Sequence, residues 1–309
     1  MTALVLIGAA NVWPRATLNR TYASASRGDI VAMEIFYAPN LMAPDSRLSS
    51  LSIPVTCYNP AAPGEPILPI PGFRIPEVNK SGSAFYLRID RRVFLVTNYH
   101  NLTIGDAAFG FKPDRSGLAY RSVYLWGTPP RHLSIESRQL VFVPTENGEA
   151  ADVVLIEVGA HEISASAAIL DDGFIPNTID LALAAREPAH VQWNSSRLPA
   201  NDGQPLLVCG YPIDRDQTWP AFQATRAIQF PQIGSGRPAE DALLGDIRPG
   251  FSGGPVVSAA TSSGLRLVGV TCRGSPVVIN LTDGTSVQTY GGNFVRLDAI
   301  LERVLLRQS

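Results

Sequence analysis

The sequence predicts an all-β body that ends in a single α-helix, and three observations carry that prediction. Short apolar runs recur from Ser81 to Cys272, separated by Gly, Pro, Asn and Asp clusters at the spacing of a sandwich or barrel. One pair of runs, Phe85 to Ile89 and Val93 to Thr97, flanks a polar Asp90-Arg91-Arg92 step and reads as a hairpin. At the C-terminus the period changes. Leu297, Ile300, Leu301, Val304 and Leu305 fall on i, i+3, i+4, i+7 and i+8, one face of an amphipathic helix, with Asp298, Glu302, Arg303 and Arg307 off that stripe.

Taken in chain order, Ala3 to Ala10 is a short apolar run that resembles a signal h-region and leaves secretion open, although only Met1 and Thr2 precede it in place of the basic residues of a secretory leader. Asp29 to Tyr37 fits a short helix or a strand equally well. Prolines then crowd the chain at Pro54, Pro60, Pro63, Pro66, Pro69, Pro71 and Pro76. Each fixes its φ and lacks a donor, so this stretch is expected to be extended or looped and not central sheet. Further strands are expected at residues 139–143, 152–158, 206–211, 255–258 and 265–272. A polar stretch at 171–202 is placed to join two lobes. No run approaches the ~18 apolar residues of a membrane span.

Composition narrows the function. A net charge of −2 over 309 residues, with no run of Lys and Arg, gives no footprint for nucleic acid. Neither H-E-x-x-H nor a paired Cys motif is present, so no metal and no cofactor is expected. The three cysteines, Cys57, Cys209 and Cys272, are odd in number and widely spaced, and the latter two end apolar runs. They read as buried free thiols in a reducing, cytoplasmic compartment. Asn101-Leu102-Thr103 matches a glycosylation sequon and reads as incidental.

Three local patterns point to chemistry. In Gly250-Phe251-Ser252-Gly253-Gly254-Pro255, glycines on both sides of a serine permit backbone conformations closed to other residues. The N–H groups of Gly250 and Ser252 are then able to converge on one point. A serine hydroxyl needs such an oxyanion site, and it needs a base. The run Val93 to His100 delivers a histidine from the end of an apolar strand, and imidazole titrates nearest working pH. Asp152 opens the apolar run Val153-Val154-Leu155-Ile156, where burial of a carboxylate requires a partner. The other histidines, His132, His161 and His190, stand in loop contexts and are expected at the surface.

The order His100, Asp152, Ser252 and the three motifs together resemble the chymotrypsin/trypsin-like serine peptidase family, over roughly residues 80–308. The resemblance implies two antiparallel Greek-key β-barrels with a cleft between them, followed by the packed C-terminal helix that the period predicts. With the proline-crowded stretch and the C-terminal period read above, the expected domains are 1–76 (a Pro-rich extension), 77–185 (the first barrel lobe, with His100 and Asp152), 186–295 (the second lobe, with Ser252) and 296–309 (the helix). In this reading Ser252 is the nucleophile, His100 the base and Asp152 its orienter, with the amides of Gly250 and Ser252 holding the oxyanion. The substrate is a peptide or protein, an activating partner protein is possible, and neither nucleic acid nor membrane is a partner.

Departures refine the resemblance. Asn101 follows the histidine where secreted animal members carry a disulfide-bonded cysteine. Phe251 stands where those members place the acid that receives a newly cleaved N-terminus, so activation by that ion pair is not expected. The wording is closer to bacterial intracellular trypsin-like peptidase domains, HtrA-type proteases among them. For specificity, Asp246 lies six residues before Ser252, where trypsin-like enzymes place the acid for Lys or Arg. Thr271 and Arg273 complete the expected pocket, and Arg248 and Arg273 are expected to lie close enough to Asp246 to neutralise it. Two other classes fit some of these residues. One is a catalytically silent fold that binds peptides. The other is an esterase, but a strand after Ser252 and a histidine before it depart from the α/β-hydrolase elbow. Residues 1–76 are expected to regulate access to the cleft.

Overall fold

The expected hairpin around Asp90 forms, and Asp90 takes the left-handed conformation (φ 54°) that a tight turn demands. Asp adopts it at lower cost than most residues with side chains. The structure, a computed structural model, describes residues 5–8, 46–59, 80–104, 112–145, 148–170, 205–212, 221–230, 240–261, 264–280 and 286–306. The stretches 29–37 and 171–202, with His190, lie outside these residues.

After a short strand β1 (Val5–Gly8), the first lobe contains α1 (Ser46–Ser49), β2 (Ile53–Tyr58), β3 (Lys80–Ile89), β4 (Arg92–Thr97), β5 (Ser122–Leu125), β6 (Arg131–Ser134), β7 (Leu140–Pro144), β8 (Ala150–Val158) and β9 (Ile169–Leu170). Its strands run in the order β6-β5-β2-β3-β4-β8-β7, each antiparallel to its neighbour, and β9 lies parallel to β3. The second lobe contains β10 (Pro205–Gly210), β11 (Gln223–Phe230), β12 (Glu240–Gly245), β13 (Pro255–Thr261), β14 (Gly264–Asn280) and β15 (Ser286–Arg296). The path β14-β13-β10-β11-β12-β15 returns to β14, so these strands close into an antiparallel barrel with no free edge. β1 pairs along the far end of β14, from Val5 opposite Asn280 to Gly8 opposite Val277. The chain then ends in α2 (Leu297–Leu306). This is the chymotrypsin-like fold class that the motifs implied.

Three apolar cores result. One fills the first lobe around Tyr86, Leu95, Tyr99, Leu125 and Val154, and another fills the barrel around Leu206, Val256, Val268 and Phe294. The third joins the lobes: Phe85, Leu87, Val96 and Val153 of the first meet Leu207, Val257, Val270 and Val295 of the second. Leu297, Ile300, Leu301 and Val304 of α2 seal it against Val141 and Val143, as the period of the helix requires.

Two expectations are corrected. The stretch assigned to an N-terminal extension contributes β2, a central strand between β3 and β5. Pro54 is tolerated there because it is the second residue of the strand and the pairing with β5 begins only at Val55. Asp298, placed off the apolar stripe, is nonetheless buried. Its Oδ1 accepts from Arg296 Nε at 3.1 Å and from the Ala299 amide at 2.9 Å, at the helix start where negative charge is favoured. No helix among the described residues is long and apolar enough to cross a membrane.

Candidate active site

His100 is delivered by local geometry. β4 is buried through Thr97 and passes into a 3₁₀ turn, Tyr99–Leu102. Residues three apart eclipse in such a turn. Tyr99 and Leu102 therefore point together into the first-lobe core, both essentially inaccessible, and His100 is left on the other side.

Register brings Asp152 to it. Thr97 pairs with Val154 across β4 and β8, so Asp152 stands level with the turn just beyond the end of β4. Its Oδ1 accepts from the His100 backbone amide at 2.9 Å, and its Oδ2 lies 2.7 Å from His100 Nδ1. Because a carboxylate only accepts, Nδ1 carries the proton in this pair, and Nε2 is left with its lone pair. Asn98 Nδ2 fixes the backbone beneath by donating to the Asp152 carbonyl at 2.5 Å. The Asp152 side chain is only 2% exposed. Burial pushes its pKa up, but the interaction with His100 through ring and backbone, with the Arg273 guanidinium, more than offsets this and holds it below the usual carboxylate value.

Ser252 sits on two consecutive turns. Phe251 N–H donates to Arg248 O at 3.3 Å, closing a turn with Pro249 and Gly250 at its centre, and Gly250 has φ 98°. Gly254 N–H donates to Phe251 O at 2.8 Å, closing the next, and Gly253 has φ 89°. A positive φ at the third position is what a type II turn needs, and proline suits its second. The Gly253 amide donates to Thr271 O at 2.8 Å. Among the described residues, the amides of Gly250 and Ser252 donate to no backbone carbonyl.

The first lobe grips this loop. Ser83 N–H donates to Ser252 O at 2.8 Å, and Asn101 Nδ2 donates to the same oxygen at 3.3 Å. Ser83 Oγ donates to Gly250 O at 2.7 Å and accepts from the Tyr211 amide at 2.9 Å. The loop is thus docked one residue from His100. Phe251 anchors it from behind, 1% exposed in the barrel core.

Sequence reasoning did not single out Ser83. Its only trace is a small polar residue early in β3, the strand before the one that delivers the histidine. Asn101 stands out in the sequence only as a departure from the resemblance and as part of a sequon. Its side chain is 2% exposed and is spent on Thr97 Oγ1 and Ser252 O, so it takes over a bracing place at the histidine turn.

The expected pocket residues divide. Asp246 is held by Arg248, Nε to Oδ1 at 3.0 Å and Nη2 to Oδ2 at 2.7 Å. Arg273 does not join them; its Nε lies 3.5 Å from Asp152 Oδ2. Thr271 lines the back of the Ser252 loop, with its amide on Gly254 O at 2.9 Å. His132 and His161 are exposed, and Cys57, Cys209 and Cys272 are free and buried. Burial pushes the Cys57 and Cys209 thiols up to about 12 and the Cys272 thiol upward as well.

No family model and no curated protein matches the chain. Solved structures of proteases do, HtrA-type proteases among them. The Rv3671c protease from M. tuberculosis in its active form is 16% identical, with 96% of this chain and 93% of that one covered and a TM-score of 0.42. The protease Anisep from Arthrobacter nicotinovorans is 12% identical, with 83% and 95% covered and a TM-score of 0.46. The HtrA-type protease AlgW with a decapeptide is 16% identical, with 85% and 66% covered and a TM-score of 0.41.

The depressed Asp152 carboxyl has a consequence for stability. Its contribution is complete above the unfolded carboxyl value of about 3.9 and is lost as pH falls through the lower folded value. The wild type is therefore expected to exceed an Asp152→Asn variant in urea midpoint most clearly above about pH 5, with the gap closing as pH falls below the unfolded value of about 3.9. A gap independent of pH contradicts the assignment.

Proposed function

We propose that the chain is a serine endopeptidase. The observation that carries this reading is the double contact of Asp152 with the backbone and ring of His100. It fixes the imidazole tautomer and leaves Nε2 as the base. In the proposed reaction, Ser252 Oγ attacks the peptide carbonyl while His100 Nε2 takes its proton. The amides of Gly250 and Ser252, left out of the turn hydrogen bonds, receive the oxyanion. The imidazolium returns the proton to the leaving amine, and water releases the acyl-enzyme by the same route. Asp152 stays ionised throughout, which its lowered pKa favours.

Phe251 supports a loop that is set without a processed N-terminus, because burial of its ring replaces the ion pair. We further infer an intracellular, regulated role from three thiols that stand free and buried.

A fluorophosphonate probe tests the reading, since it labels only a serine activated by a base and an oxyanion site. Intact mass is expected to rise by one adduct in the wild type and not in Ser252→Ala, and Asp152→Asn is expected to label about 10⁴-fold more slowly. A folded wild type that stays unlabelled contradicts the proposal and favours a silent peptide-binding fold.

Specificity follows from the Asp246–Arg248 pair. An acid already met by two guanidinium contacts gives a Lys or Arg side chain little. The wild type is expected to cleave without preference for Lys or Arg before the scissile bond, and Arg248→Ala to raise kcat/KM for such peptides roughly tenfold. Unchanged ratios across a peptide panel contradict this role.

A further inference from the structure

The Asp152 carboxylate has a second cationic neighbour, and the way the chain brings it there is unusual. β14 and β15 pair in register except between Thr271 and Arg273, which face Phe294 and Asn293 in succession. Cys272 is therefore the extra residue of a β-bulge. A bulge sets two residues of one strand against one of the other and re-aims their side chains, and bulges are over-represented beside active sites. Here both re-aimed residues reach Asp152. Cys272 Sγ lies 3.8 Å from the Asp152 carbonyl, and Arg273 Nε lies 3.5 Å from Asp152 Oδ2, the oxygen that also meets His100 Nδ1. The backbone on either side is closely confined. A Cβ on Gly292 would fall 2.1 Å from Arg273 O, and one on Gly274 would fall 1.9 Å from Ile247 O.

We propose that Arg273 is a positioning residue of the His100–Asp152 pair. Its guanidinium braces the shared carboxylate oxygen from the side of the second lobe and sets the pH at which the pair takes up a proton. The inference rests on the peptidase reading of the site. It gives Arg273 a role distinct from the pocket lining that its place in the sequence suggested.

Among the described residues, the groups around this carboxylate are His100 from the 3₁₀ turn and Arg273 and Cys272 from β14. Glu240 of β12 acts on Cys272, and Lys80 of β3 lies behind the histidine with Nζ 3.1 Å from His100 O. The Cys272 thiol is held protonated by burial and by the negative charge of Glu240 and Asp152, so it brings no charge of its own. Arg273 is thus the cation in direct contact with Asp152 besides the histidine. Its positive charge opposes proton uptake by the pair, whereas a neutral residue in its place lets the pair protonate at higher pH.

The test follows fluorophosphonate labelling rates from about pH 5 to 9 in the wild type, Arg273→Gln and Arg273→Lys. In Arg273→Gln the acid limb is expected to move up by roughly half to one pH unit. That makes labelling about three- to tenfold slower on the limb and unchanged on the plateau, and Arg273→Lys is expected to restore the wild-type limb. An acid limb that stays in place overturns the proposal, and so does equal loss at every pH, which marks a purely structural role. An unlabelled wild type is a failure of the peptidase reading and not of this one. The same substitutions are then compared by ¹⁵N-imidazole titration in a Ser252→Ala background. An upward move of the pair's midpoint upholds the proposal there, and no movement overturns it.

Discussion

The site depends on how closely the Ser252 loop lies against the first lobe. A Cβ on residue 253 would fall 2.1 Å from Ser83 O and 2.6 Å from Thr97 Oγ1, so only glycine fits there, and Gly253 also has φ 89°. The next position is equally confined, because a Cβ on residue 254 would fall 2.0 Å from Cys209 O. These approaches press the backbone of the loop onto β3, at the end of β4 and just before the histidine turn. The Ser83 hydroxyl then ties together Gly250 and Tyr211, which lie on different parts of the second lobe.

The electrostatics of the site follow from that docking. Asp152 is buried deeply enough that ionisation has to be stabilised by its neighbours, and those neighbours come from both lobes. His100 meets it from the first lobe through backbone and ring. Arg273 meets it from the second, turned toward it by one extra residue in β14. The loop that carries Ser252 is meanwhile held by the burial of Phe251 in the barrel core, an apolar anchor without charge.

Features confined to one strand or turn were legible in the sequence. The histidine at the end of an apolar run, the aspartate opening another, the glycines around Ser252 and the period of the C-terminal helix all express local rules. Features that depend on distant pairing were not. Ser83 acts on a residue 167 positions away, and nothing beside it in the chain marks that role. β2 was hidden because Pro54 argues against a central strand, and only the register shows that its missing donor falls outside the pairing with β5. β11 and β12 have mixed sequences, QATRAIQF and EDALLG, whose pattern becomes that of strands only when the barrel closes around them. The separation of Arg273 from Asp246 was equally hidden, since a one-residue bulge changes which way a side chain points and leaves no mark in the composition.

The measurement that bears most directly on the account is proteolysis itself. An unfolded protein mixture would be incubated with the wild type and with Ser252→Ala, and new chain termini read by mass spectrometry. The account predicts new termini with the wild type and none with the variant. Equal termini in both, or none in either from folded protein, would contradict it.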